Sequence, residues 1–161
     1  TAAKGIASGM PLSAVFSRTE IMKNVDVGSI GGTYGGNAIA CAAGVATINA
    51  MRDEKMLENA TERGTQLVTG LRKFQEEYSQ IGDVRGKGLM IGTEFIVDES
   101  PIKAKPMVKE IIQAAQKRDL LLLTCGTYDN VIRWIPPLNV TSQQINDGLK
   151  IFGNALKETI K

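Results

Sequence analysis

The sequence predicts an α+β fold, with helices packed on one face of a small antiparallel or mixed sheet. The chain has 161 residues, of which 43% are hydrophobic and 22% are charged, so a packed core is possible. Beyond residue 37, apolar residues recur at helical spacing in several segments. Short apolar runs bounded by glycine or proline lie between these segments and predict strands.

The first two predicted helices follow residues that favour helix starts. Asn37 is placed to cap an alanine-rich helix that ends near Met51. Asp53 is a candidate cap for the next helix, whose apolar stripe continues for about 25 residues to Tyr78.

The remaining elements alternate between short strands and amphipathic helices. Glycines at 82–92 indicate a break that leads into a strand, and Thr141 with Gln144 fits a capping box before the final helix. Between them we expect, in order, a strand at 89–96, a loop at 98–106, a helix at 107–115, a buried strand at 120–123, a turn at 126–130 and a strand at 131–135.

Charge and composition exclude several classes of function. The net charge is +2, which gives no electrostatic basis for binding nucleic acid or an anionic membrane. With no histidine, the chain has no Ser-His-Asp or Cys-His catalysis, and we expect no metal site. Cys41 and Cys125 form no CxxC motif, and so few cysteines are typical of a reducing compartment, which here suggests the cytoplasm.

Lys4 is the first candidate for chemistry, because its neighbours in sequence are small and apolar. Desolvation lowers the pKa of a lysine and makes its amine a nucleophile that can attack carbonyl groups. The alternative is an ordinary solvated charge.

A glycine-rich loop at residues 29–37 is the second candidate, and it enters the predicted helix after Asn37. Glycines allow backbone N–H groups to approach an oxyanion, and Thr33 adds a hydroxyl donor, so a phosphate site is possible. The spacing fits neither a Walker loop nor a dinucleotide fingerprint, and a structural turn is the alternative.

Arg133 is the third candidate, since it lies in an apolar strand where alternation puts it on the face of Val131 and Ile135. Its planar guanidinium suits two-point contact with a carboxylate, although a structural ion pair is the alternative. Asp83, Arg85 and Lys87 form a charged turn, for which we expect a structural use.

Taken together and in order, these segments resemble the class III, fold type I, pyridoxal-phosphate aminotransferases. The similarity covers the whole chain, and one departure is Ala38, where the family commonly has proline. The last of its four motifs is most similar to the 4-aminobutyrate branch. The motifs are KGIASGMPLSA at 4–14, GTYGGN at 32–37, VRGKGLM at 84–90 and CGTYDNVIR at 125–133, the last followed by Pro137 and Leu138.

The resemblance implies a role for each candidate. Lys4 would bind pyridoxal phosphate covalently and then carry the proton during amino transfer. Thr33 would hydrogen-bond the cofactor phosphate from a neighbouring subunit, in a homodimer or a dimer of dimers. Arg133 would bind the α-carboxylate of glutamate or 2-oxoglutarate.

The resemblance also implies a longer parent chain, and the sequence starts at Thr1 without a methionine or a signal-peptide pattern. We therefore expect residues 1–36 to be a remnant of the large cofactor-binding domain. Residues 37–161 would form a linking helix and the small C-terminal domain. The isolated piece is expected to be inactive, because the family's other cofactor contacts lie in the missing half.

Three functions remain open at this point. The first is transfer of an amino group from 4-aminobutyrate, or a similar ω-amino acid, to 2-oxoglutarate. The second is an ornithine- or polyamine-type aminotransferase of the same class. The third is a non-catalytic α+β interaction or oligomerisation module.

Overall fold

In the computed structural model, which describes residues 1–160, the chain divides into two compact units, Thr1–Lys55 and a second that begins at Met56. The boundary between these units lies after the alanine-rich helix. Lys55 separates the two units with a left-handed backbone, φ 51°. Among the described residues, no helix is long and apolar enough to cross a bilayer.

The first unit is mostly loop. It contains a 3₁₀ turn at Lys4–Ala7, a short helix α1 at Thr19–Met22 and the long helix α2 at Ala38–Asp53. Asn37 caps α2, because its side-chain oxygen accepts a hydrogen bond from the backbone N–H of Ala40 at 3.0 Å. The predicted cap is therefore confirmed.

The second unit is an α+β layer, which confirms the predicted fold class. Its four-stranded antiparallel sheet has the order β1-β2-β4-β3. Its elements are α3 (Met56–Glu77), β1 (Ile81–Lys87), β2 (Met90–Phe95), α4 (Lys105–Gln116), β3 (Leu123–Cys125), β4 (Val131–Trp134) and α5 (Ser142–Thr159).

The core of the second unit lies between one face of the sheet and the three helices. Ile132 and Phe152 are fully buried, and the Phe152 ring meets those of Trp134 and Phe74 edge to face, with centroids 4.9 Å and 5.8 Å apart. The Trp134 indole N–H donates to the buried Thr93 hydroxyl at 3.1 Å. The opposite face of the sheet is open, as the exposed Met90 illustrates.

Two local expectations are wrong. Asp53 is the last residue of α2 and does not cap α3. The 120–123 run is not a buried strand, because β3 begins only at Leu123 and Leu121 is 81% exposed.

Candidate functional site

Lys4 begins the 3₁₀ turn in the first unit and has a left-handed backbone, with φ 56°. This conformation is unfavourable for a residue with a Cβ, and such residues cluster at functional sites. The side chain is exposed, so the described residues do not provide the desolvation expected for Lys4. Lys4 lines an open concavity of about 610 Å³, together with Gly5 and residues 8–12.

The turn that carries Lys4 is held against α2. Ala7 is 1% exposed, and the hydroxyls of Ser8 and of Thr47 on α2 share a hydrogen bond of 3.1 Å. A Cβ added to Gly44 would lie 2.7 Å from Leu12 Cδ2, so glycine allows the close approach of α2 to this segment. The position of the lysine is therefore fixed by packing within its own unit.

Thr33 lies in the glycine-rich loop that leads into α2, and its side chain is exposed. The loop is a series of turns, with Gly35 N–H donating to Gly32 C=O at 2.9 Å and Gly36 in the left-handed region at φ 74°. Thr33 lines a second concavity, of about 710 Å³. The structure does not bring Lys4 and Thr33 into one pocket, although the two concavities share Pro11 and Leu12.

Arg133 lies in β4 of the second unit, on the open face of the sheet, and is exposed. Its cross-strand partners are Gly92 in β2 and Leu123 in β3. Within the described part of the chain, no carboxylate forms an ion pair with it, so the structural ion pair considered above is not present there.

Three charged residues on the same sheet, Asp83, Arg85 and Glu94, form an ion-pair network, of which the sequence analysis did not identify Glu94. The expected charged turn at 83–87 is part of strand β1. Arg85 Nη1 pairs with Asp83 Oδ2 at 2.7 Å and with Glu94 Oε2 at 2.5 Å. Hydrogen bonds to Asp83 and then to Glu94 raise the pKa of Arg85. The signal in the sequence was the alternation in β2, which puts Glu94 on the same face as Gly92.

Comparison with known proteins shows the family to which the chain belongs. Residues 1–156 match the family Aminotransferase class-III. The chain belongs to this family. Its resemblance to class III aminotransferases is thus confirmed, and the family implies pyridoxal phosphate as the cofactor.

Two curated relatives are enzymes that act on ω-amino acids. The chain is 40% identical to 5-aminovalerate aminotransferase of Pseudomonas aeruginosa over 98% of its length. It is also 40% identical to 4-aminobutyrate aminotransferase of Escherichia coli, again over 98% of this chain. In both cases the chain spans 37% of the relative's length.

Solved structures show the same fold. Ornithine aminotransferase of Toxoplasma gondii superposes with a TM-score of 0.84, at 27% identity, over 96% of this chain and 35% of that one. Acetylornithine aminotransferase of Elizabethkingia anophelis gives a TM-score of 0.83, at 32% identity, over 95% of this chain and 39% of that one. The Toxoplasma protein was crystallised with partial occupancy of pyridoxal phosphate in its active site.

Lys4 and Thr33 have the chemical groups needed to hold two parts of pyridoxal phosphate, its aldehyde and its phosphate. Covalent binding of an aldehyde requires an accessible primary amine, and Lys4 carries one at the edge of a concavity. A phosphate requires hydrogen-bond donors, and Thr33 offers a hydroxyl in a loop whose glycines leave backbone groups accessible. Among residues 1–160, no group of three side chains is arranged to hold a metal ion.

Proposed function

We propose that this chain is part of a pyridoxal-phosphate-dependent enzyme that moves an amino group from 4-aminobutyrate, or a similar ω-amino acid, to 2-oxoglutarate. The observation that carries the proposal is the exposed amine of Lys4, on a left-handed backbone beside a concavity, in a chain of the class III family. The names of the two relatives at 40% identity support the choice of donor.

Lys4 is proposed to act through its Nζ atom. Bound pyridoxal phosphate supplies an electron sink for the substrate carbon that loses a proton. Lys4 would hold the cofactor through Nζ, and the same amine would be placed to accept the proton from that carbon. The packing of Ser8 and Leu12 against α2 fixes the backbone from which Nζ extends.

Thr33 is proposed to donate its hydroxyl hydrogen to the cofactor phosphate of a neighbouring subunit in a homodimer or a dimer of dimers. Lys4 and Thr33 line different concavities. This agrees with Lys4 binding the cofactor of its own subunit and Thr33 contacting the cofactor of the neighbouring subunit. Large apolar side chains also remain exposed in the first unit, as expected of a surface that associates with another chain, including Phe16, Val27, Tyr34 and Ile39.

Arg133 is proposed to bind the α-carboxylate of glutamate or 2-oxoglutarate through its guanidinium. The support is its exposure on an open sheet face and its lack of an ion-pair partner among the described residues. Hydrogen bonds to charged groups contribute about 1.5–3 kcal/mol, so Arg133→Gln should raise the KM for 2-oxoglutarate about 10- to 100-fold.

The 161-residue chain alone is proposed to have negligible turnover, because it spans only 37% of the length of the relatives with which it aligns. A cytoplasmic location is proposed on the strength of Cys41 and Cys125, which form no disulfide.

The experiment uses the full-length protein loaded with pyridoxal phosphate and a panel of amino donors. We expect 4-aminobutyrate or 5-aminovalerate to give glutamate from 2-oxoglutarate faster than ornithine or putrescine does. A preference for ornithine would favour the second candidate, which the structural likeness to ornithine aminotransferase supports. No glutamate from any of these donors would refute the proposal and leave the non-catalytic module.

A further inference from the structure

The open face of the sheet carries two arginines in one row with a glycine between them. Arg85 in β1 pairs with Gly92 in β2, and Gly92 pairs with Arg133 in β4. Directly opposed residues in antiparallel strands point to the same face, so both guanidinium groups extend from this surface. Because Gly92 has no side chain, no side chain of β2 lies between the two arginines in this row.

Glu94 is the carboxylate on this sheet that the register brings nearest to Arg133. It lies two residues beyond Gly92 in β2, directly opposite Val131, and is therefore diagonal to Arg133 on the same face. Diagonal neighbours are roughly 7–8 Å apart, within reach of long side chains. An ion pair between Glu94 and Arg133 is thus sterically accessible.

Both oxygens of the Glu94 carboxylate are instead held by other groups. Oε2 pairs with Arg85 Nη1 at 2.5 Å, and Oε1 accepts a hydrogen bond from Asn130 Nδ2 at 3.3 Å. Asn130 is 2% exposed and also donates to the Phe95 carbonyl at 2.9 Å, so this second anchor is fixed by the core. The Glu94 side chain is 29% exposed, so it has room to turn once its contact with Arg85 is removed.

We propose that Arg85 is a positioning residue that holds Glu94 away from Arg133 and so keeps Arg133 available to a substrate carboxylate. This inference rests on the proposed function, because it assigns Arg133 the role given above. Arg85 itself does not contact the substrate. It removes a competing intramolecular anion from the carboxylate site.

The size of the effect follows from competition. When Arg85 is replaced by a neutral residue, Glu94 can pair with Arg133, and only the unpaired fraction of Arg133 binds substrate. For a pair of the strength usual at a protein surface, the apparent affinity for a carboxylate falls about two- to sixfold. Asp83 does not replace Glu94 in this role, because it lies on β1, two strands from β4.

The experiment measures KM for 2-oxoglutarate and kcat in the full-length enzyme loaded with pyridoxal phosphate. The variants are Arg85→Gln, Glu94→Gln and the double variant. Arg118→Gln is the matched control, because Arg118 is also ion-paired, to Glu158, away from this sheet face. We expect Arg85→Gln to raise KM about two- to sixfold with little change in kcat. The double variant should return KM to the value of Glu94→Gln alone, and the control should equal wild type.

Two results would overturn the inference while leaving the proposed function intact. One is an unchanged KM in Arg85→Gln, and the other is a raised KM that the added Glu94→Gln change does not restore. Arg133→Gln is measured in parallel, so that failure of the Arg85 positioning role can be distinguished from failure of the carboxylate contact proposed for Arg133. If its KM is also unchanged, the proposed carboxylate contact of Arg133 fails, and the positioning role fails with it.

Discussion

The close approach of helix α3 to the turn between β1 and β2 predicts that Gly64 and Gly70, six residues apart on that helix, differ in their tolerance of alanine. A Cβ added to Gly64 would lie 2.2 Å from the carbonyl oxygen of Gly88 and 2.6 Å from its carbonyl carbon. Both are backbone atoms, and Gly88 is itself in the left-handed region at φ 54°. The clash can therefore be relieved only by moving the helix or the turn.

Gly70 is the matched control. A Cβ there would lie 2.3 Å from Leu149 Cδ1, the end of a half-buried side chain that can change its rotamer. Either change adds one methyl group to α3 and gains about 1 kcal/mol of helix propensity. Because both variants gain the same helix propensity, that gain cancels when they are compared. Overpacking should make the free energy of unfolding of Gly64→Ala lower than that of Gly70→Ala by about 1–3 kcal/mol.

Trp134 provides the assay. It is the one tryptophan of the chain and lies in the core of the second unit at 5% exposure, so its fluorescence reports unfolding of that unit. In urea titrations, Gly64→Ala should unfold at a lower urea concentration than Gly70→Ala, and the two transitions should have equal slopes. Equal midpoints, or a less stable Gly70→Ala, would refute the reasoning from backbone contact.

Three further predictions concern the core, a helix cap and the subunit arrangement. Phe152→Ala should destabilise the second unit by about 3–5 kcal/mol in the same fluorescence assay, because the ring is fully buried. Thr141→Ala should lower the free energy of unfolding by about 1 kcal/mol in the same assay, because the capping box is lost. Mixing inactive Lys4→Ala protein with Thr33→Ala protein should restore glutamate formation if Thr33 acts across subunits, since one site of the heterodimer is then intact. No restoration would place Thr33 in its own subunit's site.

The parts of the fold that the sequence predicted correctly depend on local signals. Asn37 and Thr141 cap helices as expected, because a side-chain oxygen three residues before a backbone N–H needs only local geometry. In the final helix Ile145, Phe152 and Leu156 are buried at helical spacing, which is also a local pattern.

The parts that failed depend on contacts between distant segments. β1 was not recognised because its glycines indicate a break, yet a Cβ on Gly86 would lie 2.4 Å from the Met90 carbonyl oxygen. Glycine is required there by the close return of the next strand, which no local pattern reveals. Leu123 is exposed for the related reason that β3 lies at the edge of the sheet.

The sequence allowed candidate residues to be named, but it did not predict how they are arranged. Lys4, Thr33 and Arg133 were singled out from their neighbours in sequence and from the resemblance to the family. That Arg85 and Arg133 flank Gly92 depends on strand register, which the sequence did not specify. The network around Glu94 therefore became visible only in the structure.

The most direct test of the central claim is to map where pyridoxal phosphate attaches in the full-length protein. The loaded enzyme is reduced with borohydride, digested and analysed by mass spectrometry, with Lys4→Ala as the control. We predict a pyridoxyl group on Lys4 in the wild-type protein and its loss in the control. An adduct confined to another lysine, with Lys4 unmodified, would contradict the account.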